Sequence, residues 1–254
     1  MTWMAFPAKN MRWIYISPHF DDAVLSCGGL IWQQAKKGLP VEIWTICAGD
    51  APPGQLSPLA VACHLQWGIE SAEELVSTRR LENQAAAAWV GADTVNFSIP
   101  DCIYRRSEAG ELLYTGDVFV PPDPVEKSLQ EDISAALASE LLPDDILVCS
   151  LAIGAHLDHL TTRHAVEYLG RSPWYYADIP YLFNQPEMLA HAVKGLKKTL
   201  LPVSKAGLGA WQKGIAAYTS QIRMLFETRE KMHKAISNYW AERQGTLLWK
   251  ARKA

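Results

Sequence analysis

Residues 17–22, SPHFDD, place one histidine and two adjacent carboxylates directly behind the apolar run MRWIYI. A second polar cluster, LAIGAHLDHL at residues 151–160, follows another apolar run, DILVCS. His19 and Asp22 are three residues apart, and so are His156 and His159. On the first turn of a helix that spacing puts both side chains on one side. Histidine nitrogen with carboxylate oxygen, and no cysteine, suits a catalytic Zn²⁺ site with three protein ligands and an open position. Non-haem Fe²⁺ also takes two histidines and a carboxylate, so the pattern favours Zn²⁺ and admits Fe²⁺. A cation beside Asp22 offsets the repulsion between the paired aspartates. Asp21 is then free to take a proton from a nucleophilic water as general base. Spacing leaves open whether His156 or His159 is the ligand. The other imidazole would stabilise a tetrahedral oxyanion or protonate a leaving amine, and Asp158 would orient one of the two. Each cluster taken alone also fits a helix N-cap, with Asp21 or Asp22 capping one helix and Asp158 the other.

The clusters need elements to hold them. Apolar, β-branched and aromatic runs predict strands at 12–17, 41–47, 94–99, 145–150, 173–181 and 197–203. Helical spacing covers 23–38, 68–90, 124–141, a stretch from 159, and a long helix over about 207–239. Residues 51–58, APPGQLSP, form a loop. Alternating strands and helices imply an α/β fold, with a Rossmann-like, mostly parallel sheet and helices on both faces. In the strand order 3-2-1-4-5 the first and fourth strands are neighbours at the topological switch point, where ligands bind beyond the carboxyl ends. The site is therefore expected at the C-terminal ends of strands 1 and 4. Residues 1–254 are expected to form a single domain, with a hairpin-bearing insertion at about 102–123 between Gly110- and Gly116-punctuated runs.

Composition narrows the function classes. Apolar residues are 49% and charged residues 20% of the 254, ordinary for a globular chain with a sizeable core. A net charge of −3 without a basic patch argues against nucleic acid or an anionic membrane as partner. Five scattered cysteines without a CxxC pair read as reduced thiols and predict a cytoplasmic protein. The start of the chain has no signal-peptide pattern, and no apolar run is long enough for a membrane span. Homo-oligomerisation stays open. His64, His164, His191 and His233 are isolated and read as structural or surface residues.

With these residues in view, PHFDDAVLSCGG and HLDH resemble the LmbE/PIG-L family of zinc-dependent deacetylases, which act on N-acetylglucosamine-type conjugates. The usual family forms are AHPDD before a Gly-Gly helix, and HPDH. RRLENQAAAAWVGAD, IPDC and KGIAAYTSQI resemble further family segments, so the likeness spans roughly 12–101 and 145–225. The resemblance implies His19, Asp22 and His159 as metal ligands and Asp21 as general base. It implies His156 for the oxyanion or leaving amine, Asp158 as its charge partner, and Arg79 and Asp101 as substrate contacts. Phe20 and Leu157 replace the common prolines, and Gly154 stands where some members carry a tyrosine. The implied activity is removal of an N-acetyl group from an N-acetylated sugar conjugate. The alternatives are a metal-dependent amide or ester hydrolase for a non-sugar substrate, and a non-catalytic sugar-binding protein that kept the fold.

Overall fold

A computed structural model describes residues 11–251. The chain runs β1 (Trp13–Ser17), α1 (Asp22–Ala35), β2 (Val41–Thr45), α2 (Pro58–Trp67), α3 (Ala72–Val90), β3 (Asp93–Asn96), α4 (Leu129–Glu140), β4 (Ile146–Ser150) and α5 (Leu157–Tyr168). It continues through β5 (Trp174–Tyr176), α6 (Tyr181–Asn184), α7 (Met188–Ala192), β6 (Leu196–Pro202), α8 (Lys205–Ala216), α9 (Thr219–Phe226), α10 (Arg229–Arg243) and β7 (Gly245–Ala251). The seven strands form one sheet in the order β3-β2-β1-β4-β5-β7-β6. β1 pairs parallel with both β2 and β4, β2 with β3, and β4 with β5. β7 pairs antiparallel with β5 and with β6. The α/β architecture and the neighbouring first and fourth strands are as the sequence predicts.

β1 is buried along its whole length, because helices cover both faces of a parallel sheet and leave no solvated side. The chain steps outward from β1 to β3, then returns to the other side of β1 for β4. Right-handed crossovers consequently put α1 and α3 on one face and α4 and α5 on the other. α1, α3 and α8 pack together, and α4 packs on α5.

Three sequence expectations are revised. The loop at 51–58 ends in a helix, because Ser57 caps α2 by accepting from the Ala60 N–H and Pro58 starts it. The long helix over 207–239 is three helices. The first break falls at Ala217–Tyr218, where Tyr218 has ψ 63°, and at the second Glu227 turns into positive φ (65°). The C-terminal strand β7 went unpredicted. Residues 102–123 begin with a 3-10 turn at Cys102–Tyr104 and hold a single antiparallel bridge, Arg106 to Leu112.

The Gly28-Gly29 pair lets α8 approach α1. A Cβ on Gly28 would lie 2.6 Å from the Trp211 ring, and one on Gly29 would lie 2.8 Å from Val203. The buried Trp211 indole donates to the Val24 and Leu25 carbonyls at 2.8 and 3.1 Å. This clamps the helix that carries Asp22. Gly28→Ala should therefore cost about 1–3 kcal/mol by overpacking, read as a lower urea midpoint with altered Trp211 environment. An unchanged midpoint would show that the two helices are not in contact at that point.

Candidate metal centre and active site

The junction of β1 and α1 carries His19, Asp21 and, as the first residue of α1, Asp22; the junction of β4 and α5 carries His156 and, in the first turn of α5, Asp158 and His159. Both loops are fixed by local hydrogen bonds. Ser17 Oγ accepts from the Ala23 N–H at 3.0 Å, and the Asp22 carboxylate accepts from the His19 N–H at 2.8 Å. The second loop coils tightly, with positive φ at Ala152 (55°), Gly154 (92°) and Ala155 (56°). Non-glycine residues seldom adopt that conformation. Here Ser150 Oγ accepts from the Ala152 N–H at 2.7 Å, and Asp178 accepts from the Ile153 N–H at 3.0 Å.

One carboxylate oxygen organises the centre. Asp22 Oδ2 lies 3.4 Å from His19 Nδ1 and 3.3 Å from His159 Nε2. All three residues are buried. His159 Nδ1 is 2.9 Å from Asp178 Oδ1, which assigns its proton to that nitrogen. Nε2 then presents a lone pair toward a carboxylate, and it is a buried nitrogen without a hydrogen-bond partner. A buried polar atom in that state is costly, and two acceptors facing one space fit a cation between them. The nitrogens of His19, His156 and His159 also lie within 4.8 Å of one another. The donor set therefore fits a divalent metal, with oxygen and imidazole ligands of the kind zinc takes.

The two adjacent aspartates behave differently. Burial pushes the Asp22 carboxyl up, but positive charge facing it from the His159 and His19 side outweighs this and holds the group well below the usual carboxylate range, the same sense in which a cation between them would act. Burial leaves Asp21 net raised, with Arg79 opposing and Asp22 reinforcing. Asp21 occupies the N-cap position of α1 yet makes no side-chain cap bond. Its Oδ1 instead meets Arg79 Nη2 at 3.1 Å. Arg79 in turn sits between the Phe20 and Trp67 rings, 5.7 and 5.6 Å from their centroids. Asp101 Oδ2 is 3.7 Å from both His19 Nε2 and Arg79 Nη1. Burial, then His19 and His159, push the His156 imidazole well below its ordinary pKa, so it is neutral. Its Nδ1 accepts from the Asp158 N–H at 3.1 Å, which leaves the proton on Nε2 as a donor.

The resemblance makes Asp158 the charge partner of His156. Its carboxylate comes within 4.8 Å of a His156 nitrogen and pulls that imidazole's pKa upward, while its direct bonds go to other groups. Oδ2 lies 3.0 Å from His19 Nε2 and accepts from the Cys102 N–H at 3.0 Å, while Oδ1 pairs with Arg105 Nη1 at 2.7 Å. The Asp158 backbone N–H bonds to His156 Nδ1, and the carboxylate stays close enough to favour a proton on that ring. All eight predicted residues meet in one place: six of them line a single cavity of about 230 Å³, while His159 faces the lining Asp22 and Asp158 faces the lining His19. A larger cleft of about 450 Å³, walled by Leu182, Phe183, Tyr239 and Trp249, has no such set of ligating side chains.

Several contributors were not picked out from the sequence. Asp178 directly follows the apolar run of β5, beside β4, and its place at that strand end was the available signal. Tyr181 packs edge-on to His159 with centroids 5.5 Å apart. It occupies the space above Gly154, where a Cβ would lie 2.4 Å from its ring. Glu82 on α3 accepts from Ser220 N–H and Oγ, both at 2.7 Å, and so ties α9 to the site helix. Arg105, buried, joins Asp158 to Glu126 Oε1 at 2.7 Å, and Tyr114 donates to Glu126 at 2.6 Å. Arg105→Met removes the cation from a fully buried carboxylate, and should cost about 3–5 kcal/mol of stability. Glu126→Gln leaves Asp158 paired and should cost less. Urea unfolding of both variants checks this, and an Arg105→Met protein as stable as its parent would contradict it.

Comparison with known proteins places this geometry. The family model "PIG-L: GlcNAc-PI de-N-acetylase" matches residues 14–169. The chain is 26% identical over 262 residues to a 2'-N-acetylparomamine deacetylase of Niallia circulans, covering 93% of each. A deacetylase–teicoplanin complex from the teicoplanin biosynthesis pathway superposes with a TM-score of 0.79 at 25% identity, covering 96% of this chain and 99% of that one. A zinc-inhibited teicoplanin deacetylase matches with a TM-score of 0.75 at 23% identity, covering 96% and 100%, a likeness of fold. The family model spans both ligand loops and more than half of the sequence: the chain belongs to the PIG-L family.

Proposed function

We propose that the protein is a divalent-metal-dependent deacetylase that hydrolyses the N-acetyl group of an N-acetylated amino sugar in a glycoconjugate. The observation that carries this is the single Asp22 oxygen facing both His19 and His159, with a basic carboxylate and a neutral imidazole alongside. The deacetylase relatives support the reaction type, and the 2'-N-acetylparomamine and teicoplanin enzymes support an amino-sugar substrate. His19, Asp22 and His159 would hold the metal, Zn²⁺ before Fe²⁺ on the donor set. Once bound, it supplies Lewis-acid polarisation of the amide carbonyl and acidifies water.

The chain's own residues supply the proton transfers. Asp21 takes a proton from the attacking water while the water oxygen bonds to the acetyl carbon. The carbonyl oxygen becomes an oxyanion and accepts a hydrogen bond from the His156 Nε2–H. The C–N bond then breaks as the nitrogen takes the proton held by Asp21, which yields the amine and acetic acid and restores the carboxylate; the acid's proton then passes to the amine, leaving acetate and ammonium. Arg79 keeps Asp21 oriented throughout. Asp101 lies at the cavity wall, where it can accept from a sugar hydroxyl. The five free cysteines fit a reducing compartment, which supports the cytoplasm as the place of action. Among the described residues no helix is long and apolar enough to cross a membrane.

Adjacent, chemically identical residues give the sharpest test. Asp21→Asn should retain metal and near-normal substrate binding, with turnover down by about 10² or more. Asp22→Asn should lose metal affinity and regain part of its activity when metal is added. Acetate release from N-acetylglucosaminides and bound-metal assays read both. Metal loss confined to Asp21→Asn would exchange the roles, and full activity in both variants would reduce the pair to helix-capping residues.

A further inference from the structure

The floor of the cavity is ionic, but its walls are not. Leu59 and Trp67 stand on one side, Val118 and Phe119 from the 102–123 segment on another, and Met224 and Leu225 of α9 on a third. Phe119 is 51% exposed and Met224 is 41% exposed. Phe119 is not a stray surface residue. Its ring packs edge-on to His156 at 5.7 Å and to Tyr181 at 6.3 Å, next to the reacting groups. Large apolar side chains left half in water around a pocket mouth mark a surface that a ligand covers.

The polar lining is already committed. Asp21 pairs with Arg79, and Asp22 faces the two histidines. Asp101 faces His19 and Arg79 and accepts from the Ile103 N–H. The Gln221 amide donates to Ser220 Oγ. Only Asp101, at 3.7 Å from each cationic neighbour, is left to accept from the sugar, so a polycationic or densely hydroxylated substituent would find few partners on this lining.

We propose, on the reading of the site as an N-deacetylase, that the acetylated amino sugar carries a bulky apolar substituent, aryl or alkyl, which lies against Phe119, Trp67 and Met224. The sugar's acetamido group reaches the ionic floor, and the substituent covers the exposed rings at the mouth. The 102–123 segment thus selects substrate through Phe119 and Val118, while the loops after β1 and β4 carry the chemistry.

The test compares phenyl and octyl N-acetyl-β-glucosaminides, the latter below its micelle concentration, with free N-acetylglucosamine and an N-acetylated polyamino glycoside. Acetate release and equilibrium binding are both measured on the metal-loaded protein. The phenyl or octyl glycoside should exceed the free sugar by at least about tenfold in kcat/KM and in affinity. Phe119→Ser and Met224→Ser should each bring that ratio toward one. Equal values for glycosides and free sugar, a preference for the polyamino substrate, or a ratio untouched by both variants would overturn the proposal. Tight binding of the apolar glycosides without acetate release would uphold the apolar subsite and overturn the deacetylase reading instead.

Discussion

A carboxylate oxygen held between two imidazole nitrogens at the floor of a cavity is the constraint on which the rest depends. Asp22 Oδ2 stands 3.4 and 3.3 Å from His19 and His159, too far for good hydrogen bonds and too close to ignore. Asp178 fixes the proton of His159 on the far nitrogen, so lone pairs converge on one point. The surrounding charges press in the same direction. Asp21, Asp22, Asp101, Asp158 and Asp178 gather around the cluster, against the guanidiniums of Arg79 and Arg105. Buried carboxylates in that excess persist only where cations or protons join them. The proposed metal resolves the imbalance in one step.

Second contacts, more than residue type, divide the labour. Asp21 and Asp22 are neighbours with the same side chain. One leans on an arginine and ends up more basic than a free carboxylate, whereas the other leans on histidines and ends up less basic. His156 and His159 differ in the same way. His159 donates to a carboxylate, while His156 accepts from a backbone N–H and stays neutral. Behind them the Asp158–Arg105–Glu126 contacts connect the ligand loop to the segment that walls the cavity. Chemistry and substrate selection therefore rest on one buried framework.

Much of this was legible in the sequence. HFDD and HLDH stand at strand ends, and period alone predicts that those strands are neighbours, as β1 and β4 are. What sequence could not supply was direction. Asp158 bonds through its N–H to His156 and through its carboxylate to His19 and Arg105, partners that spacing along the chain does not reveal. Asp178 and Arg105 belong to no local pattern, and their partners lie far along the chain. The α8–α9–α10 breaks are hidden in the sequence because apolar spacing continues across Tyr218 and Glu227. β7 escaped because seven residues after a helix resemble its frayed end, and only pairing with β5 and β6 makes them a strand.

Crystals of the protein grown with Zn²⁺ and measured at the zinc absorption edge test the central claim most directly. The geometry predicts one anomalous peak, with His19, Asp22 and His159 at about 2.0–2.2 Å. Asp21 and His156 should flank it without coordinating. A peak held by His156 with Asp158 or Cys102, coordination by Asp21, or no peak with zinc in excess would contradict it.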